Sequence, residues 1–171
     1  NFLVALDLAT GKHVLTSTGY NPTAHYVSVV KQTVGSTDCY ITASAEGLVS
    51  FSAKTGEVLW TNNSSGNSVA TIPTPIIRGD LVYHTSDYGT GCVLVKVAET
   101  GQGVEATEVY KSKNMQNHHG GVVLLGNSLF GYKRGGGWVC QDFITGDVKW
   151  YDRMAGDGSA AIAYADDRIY I

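Results

Sequence analysis

The pair Thr-Gly recurs at Thr10-Gly11, Thr55-Gly56, Thr100-Gly101 and Thr145-Gly146, each copy 45 residues after the last. A fixed period of that length means that one supersecondary unit is repeated, each copy burying its apolar surface against a neighbour. Two more pairs, Thr18-Gly19 and Thr90-Gly91, fall off the register, so the dipeptide alone decides little. The flanks decide it, because they repeat as well.

Short β-type runs precede the turns: Phe2 to Leu6, Leu48 to Phe51, Cys92 to Val97 and Trp138 to Phe143. Val14-Leu15, Val58-Leu59-Trp60 and Val148-Lys149-Trp150 follow them. Gly at the second place supplies the positive φ of a tight hairpin turn, so each copy reads as strand, turn, strand. From the second copy onward another hairpin signal stands upstream: Gly35-Ser36-Thr37-Asp38, Arg78-Gly79-Asp80 and Gly126-Asn127, with Ala165-Asp166-Asp167 opening a fifth unit. Four short strands per period is the pattern of a β-propeller blade. The prediction is an all-β fold of four-stranded antiparallel blades in one propeller region over residues 1–171. Its units are a half blade at about 1–16, blades at 25–61, 72–110 and 118–151, and a half blade at 159–171.

Composition agrees and excludes some functions. Charged residues make up only 16% of the chain and Gly numbers 21 against 3 Pro, a profile of strands joined by tight turns. The net charge of -3 and the lack of a basic run argue against a nucleic-acid partner. No apolar run approaches the roughly 18 residues of a membrane helix, and Asn1 leads into a strand without a signal sequence. Cys39, Cys92 and Cys140 are widely spaced and read as buried strand residues rather than a zinc or disulfide framework.

Trp60 and Trp150 both stand five residues after the Thr of their turn, where a large apolar ring suits packing over the neighbouring blade while its N–H reaches a turn carbonyl. The structural docking set is therefore Asp7, Thr10, Gly11, Thr55, Gly56, Trp60, Thr100, Gly101, Asp142, Thr145, Gly146 and Trp150. The third unit departs from the pattern. Val97 takes the aspartate position, Glu105 the tryptophan position, Gly101-Gln102-Gly103 lengthens the turn, and Tyr110 is the candidate replacement for the docking ring. Asn62 and Asn63 open overlapping Asn-x-Ser sequons, relevant only in a glycosylating host.

One stretch carries more chemistry than a turn requires, Asn117-His118-His119-Gly120-Gly121. His118 and His119 are candidate metal ligands. On a strand, however, adjacent side chains point to opposite faces, which favours a structural role. Lys133-Arg134-Gly135-Gly136-Gly137-Trp138 reads as a hairpin connection, not a phosphate cradle, because no helix signal follows it.

Ala5-x-Asp7-x-x-Thr10-Gly11, and above all Gln141-Asp142-Phe143-Ile144-Thr145-Gly146-Asp147-Val148-Lys149-Trp150, resemble the tryptophan-docking repeat of pyrroloquinoline-quinone-like β-propellers. Asn117 to Gly121 and Tyr164 to Tyr170 resemble a bacterial branch of that family. The resemblance implies radial blades, a ring of about seven or eight of them of which this chain supplies about four, and a periplasmic, cell-envelope or secreted setting. True quinoprotein dehydrogenases of the family hold their cofactor with calcium-binding acids, a stacking Trp and a vicinal disulfide. This chain has no Cys-Cys, and turns explain acids such as Asp87, Asp142 and Asp157 more simply.

No catalytic residue and no cofactor is expected from these residues, since fold alone does not warrant an activity. The expected function is a non-catalytic binding or scaffold propeller that holds a protein or carbohydrate partner through its loops. The alternative is part of a dehydrogenase for alcohols or sugars, with pyrroloquinoline quinone and calcium held by blades outside this chain. A further structural alternative pairs Phe2 to Leu15 with Ser159 to Ile171 and closes a four-bladed ring.

Overall fold

The computed structural model describes residues 2–153 and 160–171; Asp157 and Ser159 lie outside them. Among the described residues there are sixteen strands and no helix. The first half unit is β1 (Val4–Leu6) and β2 (His13–Thr16). The first whole unit is β3 (Val30–Val34), β4 (Thr37–Ser44), β5 (Gly47–Ser52) and β6 (Val58–Asn62). The second is β7 (Ile76–Arg78), β8 (Leu81–Ser86), β9 (Gly91–Thr100) and β10 (Gly103–Ser112). The third is β11 (Val122–Leu125), β12 (Ser128–Lys133), β13 (Gly137–Asp142) and β14 (Val148–Asp152), followed by the half unit β15 (Ala163–Ala165) and β16 (Arg168–Tyr170).

Each whole unit is a four-stranded antiparallel sheet in sequence order, which is a propeller blade. β1–β2 and β15–β16 are separate two-stranded sheets, so they do not pair to close a four-bladed ring. The first whole blade also begins later than the run from His25 implies, at Val30. Residues 25–29 are used differently: Tyr26 N–H donates to Thr71 O, and Thr71 N–H donates to His25 Nδ1. Those bonds tie one interblade connection to the next instead of extending a ladder.

Strand alternation gives the middle blade two buried faces. On β9, Val93, Val95 and Val97 enter a core with Ile41, Leu48 and Trp60 of the preceding blade. Cys92 and Leu94, between them in sequence, enter a second core with Leu129, Val139 and Phe143 of the following blade. β8 divides the same way, Val82 to the first core and Tyr83 to the second. All three cysteines are buried and free. Each fully buried side chain of this size contributes about 1.5–3 kcal/mol, so the two interfaces hold most of the apolar stabilisation of this blade.

Antiparallel order separates two ends. The hairpin turns β3–β4, β5–β6, β7–β8, β9–β10, β11–β12 and β13–β14 lie at one end. The β4–β5, β8–β9 and β12–β13 turns lie at the other with the long interblade connections 63–75 and 113–121. At the tight-turn end the first hairpin of one blade is grasped by the blade before it. Gln32 Nε2 donates to Gly79 O at 2.9 Å, and Arg78 Nη1 donates to Gly126 O and Asn127 Oδ1, both at 2.7 Å, with its guanidinium 4.1 Å from the Phe143 ring centroid.

At the long-connection end the clasp is His84, fully buried on β8. Pro73 O can only accept, so Nε2 carries the proton and donates to it at 3.0 Å, while Nδ1 accepts from the Ser65 hydroxyl at 2.7 Å. Burial opposes the imidazolium and holds His84 down to about 4, against an ordinary 6.5. The unfolded chain therefore binds the extra proton first as pH falls. The contribution of a neutral, buried His84 is complete above about pH 6.5 and is expected to fall by roughly 3 kcal/mol on acidification through pH 4. Denaturant titrations at a series of pH values check this: a His84→Leu chain should start weaker and lose little more over that interval, and an unchanged slope in that variant contradicts the assignment.

Candidate functional site

The repeated turns are built by a short side chain that accepts from the backbone it encloses. Asp7 Oδ1 accepts from Thr10 N–H at 2.8 Å and from the Thr10 hydroxyl at 2.6 Å, and Gly11 N–H donates to Asp7 O. Asp142 Oδ1 accepts from Ile144 and Thr145 N–H at 2.8 and 3.0 Å, and its Oδ2 pairs with Lys149 Nζ at 2.9 Å. The Lys149 ammonium, then the turn N–H groups, hold the Asp142 carboxyl below its usual range; for Asp7 the Thr10 hydroxyl does so. In the second copy Ser52 stands in for the aspartate, its hydroxyl accepting from Lys54 and Thr55 N–H. Gly11, Gly56 and Gly146 have φ of 68°, 74° and 77°.

Thr100-Gly101 does not make this turn. Gly101 lacks a positive φ, and the pair sits at the tip of a hairpin whose strands β9 and β10 each run ten residues. Hydrogen-bond register also shifts the aspartate position. Phe143, Ala53 and Val97 each donate a backbone N–H to the preceding hairpin turn, at Asn127, Asp38 and Asp80. Val97 therefore corresponds to Phe143, and Lys96 stands where Asp142 does.

The residue after a β-bulge faces the next unit in every copy. Val14, Leu59, Val109 and Lys149 are left unpaired, and Leu15, Trp60, Tyr110 and Trp150 follow them, opposite Ala5, Ser50, Leu94 and Cys140. Leu15 lies against Gly56, where an added Cβ would stand 3.3 Å from its side chain and 2.8 Å from Thr16 O. The Tyr110 ring covers Gly146, whose Cβ would stand 2.7 Å away, and its hydroxyl donates to Phe143 O at 3.1 Å. Tyr110, not Glu105, thus occupies the ring position of the second whole blade.

Trp60 is buried among the valines of the next blade, yet its Nε1 has no hydrogen-bond partner. The reason is the long hairpin: Val97 and Ala106 pair in a ladder there, whereas the equivalent segment of the following blade is a turn with the free carbonyl that Tyr110 uses. Trp150 stays 47% exposed, beside Phe130 at 6.0 Å, on a cavity of about 310 Å³ that Ile169 and Ile171 also line.

Sequence reasoning passed over the polar links between the second and third whole blades. Gln141, fully buried, accepts from the Tyr83 hydroxyl at 3.0 Å and donates to Gly146 O at 2.8 Å; Asn114 Nδ2 donates to the same carbonyl. The signal was Gln141 itself, a polar residue that follows Trp138, Val139 and Cys140 one place before the turn aspartate Asp142.

At the long-connection end, Asn117 is buried, donating to Tyr132 O and accepting from Gly121 N–H. Residues 117–121 are not a strand, so alternation does not separate the two histidines. Their rings lie side by side with centroids 4.7 Å apart. His118 Nε2 is 3.0 Å from the Tyr88 hydroxyl, and the two rings meet edge-on at 5.2 Å. Arg134 lies over Tyr88 at 5.3 Å and pairs with Asp87 at 3.1 Å, whose side chain is only 4% exposed. Tyr88 holds a φ of 58°, unusual for a side-chain-bearing residue. Among the described residues no group of three or more His, Cys, Asp or Glu is placed to hold a metal ion.

Gly146 and Gly11 separate two costs of a side chain. Gly11→Ala meets nothing within 4 Å and suffers only from its φ, so about 1 kcal/mol is expected. Gly146→Ala also collides with the Tyr110 ring, and roughly 3 kcal/mol is expected. Urea unfolding of both variants checks the difference, and equal losses contradict the interblade contact.

The family described as "Outer membrane protein assembly factor BamB" matches the chain over residues 1–171. No curated protein matches it. The match spans every blade and half blade described above, and its repeats are those of the pyrroloquinoline-quinone-like type. On its sequence and its fold together, the chain belongs to the BamB family of β-propeller repeat proteins.

Proposed function

We propose that this chain is a non-catalytic scaffold segment that holds a protein partner in the cell envelope during the assembly of outer membrane proteins. The family description supplies the process. The observation that carries the non-catalytic reading is the use made of the buried polar side chains. His84, Asp87, Asn117 and Gln141 each bind a neighbouring blade or connection, and a group engaged in that way positions structure rather than substrate. Exposed loops on such a rigid frame are suited to holding a partner. No helix among the described residues is long and apolar enough to cross a membrane.

Two measurements on the full-length protein test this. Deleting its gene in the source organism is expected to lower the amount of folded outer membrane protein, with restoration by the intact gene; unchanged levels contradict the assembly role. Incubation with pyrroloquinoline quinone and calcium is expected to give neither tight uptake nor dye-linked oxidation of alcohols or sugars. Turnover would establish the dehydrogenase instead.

A further inference from the structure

The tight-turn end carries charge of both signs, with Asp38, Asp80 and Asp142 paired with Lys31, Lys96 and Lys149. Asp7, Asp38, Asp80, Asp142, Asp166 and Asp167 all sit at or beside hairpin turns of the tight-turn end. Over the second and third whole blades, the opposite end carries Lys111, Lys113, Lys133 and Arg134, with His118 and His119 between them. Three carboxylates, Asp87, Glu108 and Asp152, stand among them. Asp87 pairs with Arg134, Glu108 accepts from Ser64 and Asn62, and Asp152 also has a partner. Glu108 accepts from neutral donors and keeps its charge, so the named groups are four cations against three carboxylates, with Lys111 and Lys113 exposed at the groove described next.

The rim at this end also has a shape. Asn63, Ser64, Thr90, Lys111, Ser112 and Lys113 line a groove of about 500 Å³ between the first and second whole blades. Thr90 belongs to the β8–β9 turn, whose other side carries Tyr88, so the groove and the Tyr88–His118–Arg134 cluster flank a single turn. Arg134 is held by the Tyr88 ring and by buried Asp87, while 57% of its side chain stays exposed. A guanidinium already fixed by its neighbours loses little freedom on meeting a carboxylate, and Arg with Tyr is the pairing that dominates protein interfaces.

We infer that this rim binds an acidic segment of a partner protein, with carboxylates on Lys111, Lys113 and Arg134 and an apolar or aromatic side chain against Tyr88 and His118. A long polyanion fits less well, because the cations do not extend as a continuous track. This inference rests on the scaffold reading in taking the partner to be a protein. Quinone uptake decides that reading, so the two can fail separately.

The test uses the full-length protein and a labelled synthetic peptide rich in Glu and Tyr, followed by fluorescence anisotropy at low and at physiological salt. Saturable binding that weakens with salt is expected, with a counterpart in which Gln replaces Glu binding at least about tenfold less tightly. The double variant Lys111→Glu, Lys113→Glu is expected to lose about tenfold or more. Lys12→Glu, Lys54→Glu at the tight-turn end is expected to stay within about twofold. Both pairs are exposed, and circular dichroism verifies that each variant is folded. No binding by the folded wild-type protein, equal binding of the Gln peptide, or equal loss from both double variants overturns the proposal. So does binding to phosphatidylglycerol vesicles, in preference to the peptide, that depends on Lys111 and Lys113; the ligand is then a membrane surface.

Discussion

Consecutive residues of β9 enter different cores: Val93 packs with the blade before it, Leu94 with the blade after it, and Val95 with the blade before it again. A strand that alternates in this way has no solvent face, and its sheet is stable only when a neighbour covers each side. Everything else in the molecule serves that stacking. The tight turns keep blade edges short, and the long connections return the chain to start the next sheet beside the last.

Apolar burial does not set the rotation of one blade against another, because packing of valine and leucine is non-directional. The polar links do. Gln32 and Arg78, from equivalent first hairpins, each reach the first turn of the following blade, at Gly79 and Gly126. At the opposite end His84 joins Ser65 to Pro73 within one connection, and Thr85 donates to Met115 O in the next. Glu99 adds a link found in the long hairpin, accepting from Ser36 and Thr37 of the blade before; those donors hold its carboxyl below the usual range. Fixed at both ends, the blades present the Tyr88–His118–Arg134 rim as a rigid surface.

Much of this was legible in the residues. The period, the four strands per unit and the turns at Gly11, Gly56 and Gly146 follow from Thr-Gly spacing and from the φ that only glycine adopts freely. The second whole blade departs from the register because its hairpin is longer by six residues, which moves the ring five places from Glu105 to Tyr110 and the aspartate position back one to Lys96 while leaving Thr100-Gly101 in place. Spacing counts residues; a ladder counts pairs, and a bulge makes the two disagree. The orientation of His118 and His119 was misjudged for a related reason, since strand alternation was applied to a connection. His84 and Gln141 escaped notice because a lone polar residue in an apolar strand does not name its partner, which lies 19 or 58 positions away.

Whether the blades touch as described is tested most directly by a double-mutant cycle on Tyr83 and Gln141, which lie on different sheets and share a buried hydrogen bond of 3.0 Å. Tyr83→Phe and Gln141→Leu, alone and together, are unfolded in urea. A coupling of about 1 kcal/mol or more between the two is predicted. Strict additivity would mean that the two sheets do not meet there, and would contradict the stacked propeller.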